Sequence, residues 1–416
     1  MSEKLTCHAC SAKSLTKFLS LGKMPVSNAY PTQKEIDQGN EYLYDLEVGF
    51  CDSCKMVQLT NFVPYDKYIV PDQSGKTNYA FFSSTSKAMQ AHFADFAKQL
   101  QTEYLKPGQN VAEIGGNDGI MLQSFDKDYH VLNIEPSSNV AAVSREKGIE
   151  TIEEFFNEDL AKKLVKQKGR FGAIASSNVV LNIHDINSVV KGVEHMLDKG
   201  GVFAMQDPYL GRILQDKAFD QIYDEHVWYF SVSSLSNLFE RHGMEVFDAE
   251  LHEVHGGSMR VFASRKGERE KTSRLQRILE QETELQMDTI LPYQQFAADV
   301  EGIKNELRTL LDGLKSDGKR IVGYAAASKG TIILNYANIG RNYLDYIVDS
   351  TPFKQGRFIP GVHIPIVSPE TFRANYPDYA LLGARNHEKE IMGKEGDFIR
   401  NGGKFIVSIP TPKIIK

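Results

Sequence analysis

Two C-x-x-C pairs near the start of the chain constrain its fold more than any other feature. Together they supply four thiolates, the tetrahedral ligand set that structural zinc prefers, and they leave no vacancy for the nearby His8. Two disulfides are disfavoured in a reducing cytoplasm, and unrelated buried thiols would not fall into matched pairs. Since no coordination position stays open, we expect the ion to stabilise a small module and not to catalyse. The predicted ligands are Cys7 and Cys10 in CHAC, and Cys51 and Cys54 in CDSC.

The spacing between the two pairs is long for a compact zinc ribbon, because 40 residues separate Cys10 from Cys51. We therefore expect an inserted hairpin or loop around MPVSNAYPTQ. The whole chain has 416 residues, which exceeds what one hydrophobic core supports and predicts two or three domains.

Composition excludes several classes of partner. Apolar residues make up 41% of the chain and charged residues 25%, as in an ordinary globular protein. The net charge of -6 and the lack of a Lys/Arg-rich run argue against nucleic acid. No apolar stretch approaches the ~20 residues that cross a bilayer, and MSEKLTCHAC lacks the apolar core of a signal peptide. The sequence therefore predicts a cytoplasmic protein that contacts neither nucleic acid nor membrane.

A glycine-rich loop follows a predicted buried strand in NVAEIGGNDGIMLQSF. Residues 111–114 have the pattern of a strand, residues 115–119 that of a tight turn, and a helix is expected from Ile120 onward. The G-x-x-x-G spacing differs from the G-x-G-x-x-G that places a pyrophosphate on a helix N-terminus. Because Glu113 and Asp118 would repel phosphate, the loop is suited to a cationic or zwitterionic ligand whose ammonium meets an acid.

The following elements extend this site. The strand HVLNIEPS ends at Glu135, 20 residues after Gly115, where doubly wound sheets place an acid on ribose hydroxyls. IETIEEFF offers Phe155 and Phe156 as an aromatic slot, although a place in the core explains these two phenylalanines equally well. RFGAIASSNVV predicts another strand, with Asn178 near its carboxyl end. The ensemble predicts S-adenosylmethionine as the cofactor. Its predicted contacts are Glu113, Gly115, Asn117, Asp118, Gly119, Glu135, Phe156 and Asn178.

Several separated motifs resemble one known family. CHAC with CDSC, then EIGGNDG, YDEHVWYFS, HGGSMRVF and GVHIPIVSPE, in this order over nearly the whole chain, are similar to the sugar C-methyltransferases of deoxysugar pathways. The resemblance implies an N-terminal zinc module, a central Rossmann-like domain that binds S-adenosylmethionine, and a C-terminal Rossmann-like domain that helps hold a nucleotide sugar. It also implies methylation at C-3 of a nucleoside-diphosphate 4-keto-6-deoxy sugar, the expected substrate partner.

The segment QIYDEHVWYFS holds the candidate catalytic residues. Moving a methyl cation onto carbon needs a base for the C–H beside the ketone and a donor that stabilises the enolate oxygen. His226 is the candidate base, Glu225 or Asp224 would orient its imidazole, and Tyr223 would donate to the enolate at O4. A histidine among acids is also typical of a solvated surface cluster, but this segment follows a strand that should end on the cofactor rim. The resemblance implies the same tyrosine, glutamate and histidine, together with an upstream tyrosine that best matches Tyr79.

Further positions are candidates for the substrate. HEVHGGSMRVF offers His255 and Arg260 beside glycines that permit close approach, and a plain hairpin turn explains the same glycines. In SNVVLNIHD the family pattern has a histidine four residues after the asparagine. This chain has Asn182 there, with His184 two residues further on. Either His184 substitutes or that contact is absent.

The last part of the chain predicts a second α/β unit. RLQRILEQETELQ and ADVEGIKNELRTLLDGLK indicate two connecting helices, and KRIVGYAAASKGTIILNY begins a strand, small-residue turn and helix. Lys329, and more weakly Lys354 and Arg357, could meet a diphosphate, although surface charge is an equal alternative for each. The missing G-x-G-x-x-G argues against a nicotinamide cofactor. No role follows for ARNHEKEI, with Arg385 at a predicted rim.

The predicted fold is α/β in four parts. Residues 1–75 form a zinc-binding module, 76–265 the methyltransferase domain, 266–316 a helical connection and 317–416 an α/β domain that contacts the nucleotide sugar. The alternatives are a sugar O-methyltransferase, a nicotinamide-dependent sugar epimerase or reductase, and a non-catalytic nucleotide-sugar binding protein. The nucleobase, the sugar configuration and a choice between monomer and dimer stay open.

Overall fold

The computed structural model describes residues 4–69, 77, 79 and 82–416, apart from the side chains of Thr85 and His255. Three β-sheets follow one another along this part of the chain, and helices accompany each sheet. This arrangement confirms the predicted α/β class. Among the described helices, none combines the length and the apolar character that crossing a membrane requires.

The N-terminal sheet is antiparallel. Its strands are β1 Leu15–Pro25, β2 Leu43–Cys51, β3 Val57–Leu59 and, from the middle of the chain, β9 Trp228–Tyr229. The helix α1 Gln33–Gln38 lies between β1 and β2 in the chain. The strand order is β1-β2-β3-β9, and β1 with β2 forms the hairpin that the long gap between the cysteine pairs predicts. In β2, Tyr44, Leu46 and Val48 are buried and alternate with more exposed residues, the period-two pattern of a half-buried strand.

The central sheet has seven strands in the order β10-β11-β8-β7-β4-β5-β6. They are β4 Asn110–Ile114, β5 His130–Ile134, β6 Glu150–Ile152, β7 Phe171–Ser177, β8 Leu197–Pro208, β10 Met244–His252 and β11 Ser258–Arg265. The five strands from β8 to β6 are parallel, and β11 and β10 add an antiparallel edge. The carboxyl ends of the parallel strands share one edge, where ligands bind in open α/β sheets.

Six helices flank these strands in the described part of the chain. They are α2 Lys87–Glu103, α3 Ser138–Glu146, α4 Glu158–Lys168, α5 Ile186–Met196, α6 Leu210–Gln215 and α7 Val232–Glu240. α2 buries Phe93, Phe96 and Leu100, whose spacing of three and four residues places them on one helical face. α4 begins at Asn157, whose side chain accepts from the Leu160 amide, as N-cap residues commonly do.

The helix predicted from Ile120 is absent, which corrects the sequence-based expectation. Leu122–Ser124 form only a 3-10 turn. Ten residues lie between Gly119 and the first residue of β5, and the Tyr129 amide donates to the Asp126 carbonyl at 3.1 Å within them. The chain therefore returns to the sheet through short turns.

The last third of the chain begins with two helices and ends in a six-stranded sheet. Its elements are α8 Ser273–Glu284, α9 Leu291–Ser316, β12 Ile321–Tyr324, α10 Ser328–Tyr336, β13 Ile347–Val348, β14 Ile366–Val367, α11 Pro369–Ala374, β15 Tyr379–Leu382, α12 Glu388–Lys394, α13 Gly396–Arg400, β16 Lys404–Val407 and β17 Lys413–Ile415. The strand order is β14-β13-β12-β15-β16-β17, parallel except for β17. The two connecting helices predicted from sequence are present.

Helix α9 packs on the N-terminal sheet as well as preceding the C-terminal one. Its fully buried Tyr293 stacks on Phe50 of β2 at 4.8 Å between ring centroids and lies 5.3 Å from Phe18 of β1. One continuous cluster of buried apolar residues includes members of all three sheets. The N-terminal module is therefore packed against both later parts of the chain.

Candidate active site

The predicted catalytic segment, residues 221–229, leads from the end of a 3-10 turn into β9. Nδ1 of His226 lies 2.9 Å from the main-chain oxygen of Gln221, which can only accept, so Nδ1 carries the hydrogen. In the neutral ring Nε2 is then an acceptor, and the hydroxyl of Tyr223 lies 2.6 Å away. Tyr223 donates to His226, and the main chain of Gln221 fixes the tautomer.

The two acids beside His226 are held by the N-terminal module. Oδ1 of Asp224 accepts from the main-chain N–H of Ser27 at 2.9 Å and from the Tyr44 hydroxyl at 3.4 Å. Oε1 of Glu225 accepts from Nδ2 of Asn28 at 2.8 Å. Sequence reasoning missed Ser27 and Asn28, because a polar pair in a proline-flanked loop carries no periodic signal.

The pKa shifts in this segment also involve Tyr79, which lies outside it. Burial, then the charge of Asp224, raises the pKa of Glu225 to about 7, and the Asn28 hydrogen bond opposes that rise. Burial, then Glu225 and Tyr79, raises the pKa of Tyr223 well above its usual value. The pKa of Tyr79 is raised by burial, then by Glu225 and Glu135. Tyr79 is therefore close enough to both Glu225 and Glu135 for their charges to affect its pKa.

The position of Tyr79 is set by a side chain of α3. Oδ1 of Asn139 accepts from the Tyr79 amide at 2.9 Å, and Nδ2 of Asn139 donates to the Tyr79 carbonyl at 2.8 Å. Thr77 adds a hydroxyl hydrogen bond to the carbonyl of Pro136 at 2.8 Å. These contacts keep Tyr79 beside the loop that follows Glu135.

The glycine loop forms a close-packed cradle at the end of β4. Gly115 has φ +69°, and a Cβ there would overlap the Val179 side chain. Gly119 has φ +75°, and a Cβ there would come within 2.5 Å of Ile149. Both positions therefore require glycine. Beside them Glu113 is 2% exposed, and its Oε2 has no hydrogen-bond partner among the described residues.

Three carboxyl groups, those of Glu113, Asp118 and Glu135, lie around this cradle, and Nζ of Lys147 lies 3.6 Å from Asp118. Burial, then the charges of Glu135 and Asp118, raises the pKa of Glu113 to about 8. Glu135 accepts from the amides of Asn117 at 3.1 Å and Ser137 at 2.8 Å, although burial raises its pKa too. A cationic ligand would relieve this repulsion and partner the Glu113 oxygen, which is the property expected of a site for the sulfonium and ammonium groups of S-adenosylmethionine.

Two asparagines of the predicted cofactor site share a backbone feature. Asn117 has φ +50° and Asn178 has φ +55°, in the left-handed region that asparagine tolerates better than most residues. The Asn178 amide donates to the Gln206 carbonyl at 2.8 Å, which ties the end of β7 to β8. Asp118 is fully buried and accepts from the Ser84 amide at 3.3 Å and from the Ser84 hydroxyl.

The two predicted slot phenylalanines lie in different environments. Phe156 is 5% exposed and packs against Gly192 of α5, which is the core position considered as the alternative above. Phe155 is 51% exposed, with its ring centroid 6.1 Å from that of Tyr65.

The structure also locates Asn182 and His184, where the chain departs from the family pattern. Asn182 lies in a 3-10 turn whose Leu181 carbonyl accepts from the Val227 amide at 3.0 Å, next to His226. Its Oδ1 is buried and has no hydrogen-bond partner among the described residues. His184 stacks on Tyr65 at 3.9 Å, and burial, then His8, lowers its pKa to about 4. The turn that holds Asn182 is therefore hydrogen-bonded to the catalytic segment, whereas the His184 ring packs on Tyr65.

The predicted diphosphate contact Lys329 faces the methyltransferase part of the chain. Its pKa is lowered by burial and by Arg385, while Asp220 acts in the opposite direction. Nε of Arg385 lies 3.6 Å from Oδ2 of Asp220, and Asp220 is 1% exposed. Two cations and one acid thus meet where α10 approaches the turn before the catalytic segment.

The other predicted substrate residues already have protein partners. Arg357 donates to the Tyr30 carbonyl at 3.1 Å, and Nζ of Lys354 donates to the Ala326 carbonyl at 2.6 Å. Arg260 is 3% exposed, lies 3.6 Å over the Phe96 ring, and donates to Gln206 at 2.8 Å. The side chain of His255 lies outside the described residues.

The four cysteines converge as their spacing predicts. All four Sγ atoms lie within 4.8 Å of one another, and none forms a disulfide. The Cys7–Cys54 and Cys10–Cys51 sulfur distances are both 3.7 Å. A tetrahedron with metal–sulfur bonds of about 2.3 Å has sulfur–sulfur edges of about 3.8 Å. The cluster therefore has the dimensions of a four-thiolate zinc site.

Three protein-family models match successive parts of the chain. The chain matches family models described as "Putative zinc binding domain" over residues 7–68, "Methyltransferase domain" over 86–249 and "C-methyltransferase C-terminal domain" over 253–410. The C-methyltransferase NovU of Streptomyces niveus is 32% identical over 412 residues, which cover 98% of this chain and 96% of NovU. The chain belongs to the C-methyltransferase family. This C-methyltransferase uses S-adenosylmethionine, as predicted.

Solved methyltransferase structures align with part of this C-methyltransferase. An S-adenosylmethionine-dependent methyltransferase from Clostridium acetobutylicum is 11% identical with a TM-score of 0.34, covering 49% of this chain and 96% of that one. Magnesium protoporphyrin IX methyltransferase from Synechocystis with bound S-adenosylmethionine is 9% identical with a TM-score of 0.33, covering 42% of this chain and 79% of that one.

Proposed function

We propose that this C-methyltransferase places a methyl group on C-3 of a nucleoside-diphosphate 4-keto-6-deoxyhexose. The observation that carries the proposal is the pair formed by Tyr223 and His226, a hydroxyl and an imidazole 2.6 Å apart with the tautomer fixed by Gln221. Such a pair offers the two groups that enolisation of a ketone requires, a base and a hydrogen-bond donor.

His226 is the proposed base. With Nδ1–H bonded to the Gln221 carbonyl, the lone pair of Nε2 is the one available to take the hydrogen from C-3. An ionised Glu225, next in the chain, would favour the imidazolium that forms. The partial burial of this segment strengthens that attraction, because fewer water molecules screen it.

Tyr223 is the proposed donor to the developing enolate oxygen. Its raised pKa keeps the phenol protonated at neutral pH, so the hydroxyl has a hydrogen to donate. In the proposed reaction the substrate ketone takes over the hydrogen bond that Tyr223 otherwise gives to His226, so that Nε2 of His226 acts as the base. Tyr79, also kept protonated, is a second proposed donor near Glu225.

The acidic cradle is the proposed cofactor site. S-adenosylmethionine supplies a methyl group on a positively charged sulfur, which a carbon nucleophile can accept. Glu113 would neutralise the cationic end of the ligand, and Glu135 at the end of β5 would accept from ribose hydroxyls. The glycines at 115 and 119 keep the turn small enough for close approach.

Lys329 and Arg385 are the proposed contacts for the diphosphate. They lie across from Asp220, which shortly precedes Tyr223, so a nucleotide held there would direct its sugar toward the catalytic segment. Arg357 is proposed to act from the same side. The division into residues 1–75, 76–265, 266–316 and 317–416 is likewise proposed, with one sheet centred on each of the first, second and last parts and β9 of the second part joining the first sheet.

The test is hydrogen exchange at C-3 in His226→Asn. The enzyme is incubated in D2O with S-adenosylhomocysteine and a panel of thymidine- and guanosine-diphosphate 4-keto-6-deoxy sugars, and deuterium at C-3 is followed by NMR. We expect exchange in the wild type and a fall of about 10²- to 10⁴-fold in the variant. Exchange and methylation at wild-type rates would remove His226 from the mechanism. A methyl group found on oxygen would reject C-methylation.

A further inference from the structure

Asn28 connects all three parts of the chain at the catalytic segment. It lies in the loop between β1 and α1, and the residue is exposed. Nδ2 donates to Oε1 of Glu225 at 2.8 Å, and Oδ1 accepts from the Ser328 hydroxyl at 2.8 Å. Ser328 is the first residue of α10 and immediately precedes Lys329. One amide therefore joins the acid beside His226 to the start of the helix that carries a proposed diphosphate contact.

The orientation of this amide follows from its partners. A carboxylate can only accept, so Glu225 selects the NH2 group, and the remaining oxygen faces the hydroxyl of Ser328. The loop itself is fixed by its neighbours. The Ser27 amide donates to Asp224 at 2.9 Å, and the Tyr30 hydroxyl donates to the Ala326 carbonyl at 2.8 Å.

We propose that Asn28 is a positioning residue for the methyl transfer, which orients Glu225 toward His226 and couples that orientation to nucleotide binding at the start of α10. The inference rests on the proposed function, because it assigns Asn28 to the same reaction. It also gives the zinc module a part in catalysis beyond stabilising the fold.

The charge around Glu225 explains why an asparagine is suited to this position. The groups that face Glu225 are Asp224 and the phenols of Tyr30, Tyr68, Tyr79 and Tyr223. An acid among these groups tends to be protonated at neutral pH. An amide hydrogen bond favours the ionised form, and the amide adds no charge that would compete with the imidazolium.

The experiment compares Asn28→Ala, Asn28→Asp and Ser328→Ala with wild type. C-3 exchange in D2O with S-adenosylhomocysteine, the KM for the sugar nucleotide and the pH profile of kcat are measured for each. In Asn28→Ala we expect exchange to fall about 10-fold, because a hydrogen bond to a charged group is lost. The rising limb of the pH profile should also move to higher pH, since Glu225 is then harder to ionise. In Asn28→Asp, which keeps the shape but adds a like charge, we expect a larger move.

Ser328→Ala removes the hydroxyl that donates to Oδ1 of Asn28. This variant should raise the KM for the sugar nucleotide more than it lowers kcat. Asn61→Ala, at an exposed asparagine of the same module, is the control. Zinc content and melting temperature identify any variant that fails to fold. If one does, the other two still test the inference.

Three results separate this inference from the proposed function. If His226→Asn exchanges normally, the proposed function fails. If His226→Asn is inactive but folded Asn28→Ala and Asn28→Asp keep the wild-type exchange rate and pH profile, only the role of Asn28 is wrong. An unchanged KM in folded Ser328→Ala would reject the coupling to nucleotide binding.

Discussion

The main-chain N–H of Leu59 donates to the carbonyl of Val227 at 3.0 Å, one residue beyond His226. Leu59 ends β3, the strand that begins three residues after Cys54, and β3 pairs with β9. The four-cysteine cluster is therefore connected to the catalytic segment through a few main-chain hydrogen bonds.

Removing the metal should abolish activity through this connection. Cys51→Ser is expected to lose bound zinc and to melt at a lower temperature, because a structural zinc site contributes directly to folding. Metal content per chain by mass spectrometry and thermal unfolding check this. Asp52→Asn, in the same turn and with a 69% exposed side chain, is the control and should keep both metal and activity. A fully active chain without metal would contradict the prediction.

Glu113 should make stability depend on pH. Its folded pKa of about 8 lies above the value of 4.5 for an ordinary glutamate, so the folded state binds more protons than the unfolded state between these values. The free energy of unfolding contributed by this group therefore falls as pH rises through that window, by a few kcal/mol in order of magnitude.

Glu113→Gln removes this titration. Urea unfolding at pH 5.5 and pH 8 should show a smaller loss of stability in the variant than in the wild type, and the difference between the two proteins isolates Glu113 from other groups. Equal pH dependence would show that Glu113 ionises normally. Weaker binding of S-adenosylmethionine by the variant in calorimetry is the accompanying expectation.

Lys329→Met should weaken nucleotide-sugar binding selectively. We expect the KM for the sugar nucleotide to rise about 10-fold or more and to depend less on salt, because one cation facing the diphosphate is lost. The KM for S-adenosylmethionine should stay unchanged. The exposed Lys389 of α12 provides the control Lys389→Met. Equal inhibition of wild type and Lys329→Met by free nucleoside diphosphate would place the phosphates elsewhere.

Arg260→Met separates a structural role from the predicted substrate contact. The guanidinium is buried on Phe96 and lies 3.8 Å from Glu250, so removing it should destabilise the fold by about 3 kcal/mol. The KM for the sugar nucleotide should then be unchanged in the folded fraction. A raised KM with unaltered stability would instead support a substrate contact. Arg277→Met, at an exposed position of α8, is the control.

Features that depend on local spacing could be predicted from the sequence. The four cysteines form two matched pairs, Glu113 precedes a glycine turn, and the segment around His226 is continuous in the chain. The α/β class also follows, since strands of four to seven apolar residues alternate with helical patterns.

Features that depend on distant pairing could not be predicted. Asn28 reaches Glu225 across 197 residues of sequence, and nothing in its neighbours indicates that contact. The helix expected after Gly119 is replaced by a 3-10 turn at Leu122–Ser124, and the local sequence pattern does not distinguish the two. Phe155 and Phe156 are adjacent in sequence, and the backbone turns one into the core and the other outward.

The pairing of β3 with β9 has a consequence for biosynthesis. While the ribosome is making this enzyme, β3 emerges about 170 residues before its neighbour, and its outer hydrogen-bonding edge stays open throughout that interval. Until β9 is made, this edge of β3 is therefore available to pair with a strand of a second copy. Early metal capture, which rigidifies the N-terminal hairpin, would limit such encounters until Tyr229 arrives.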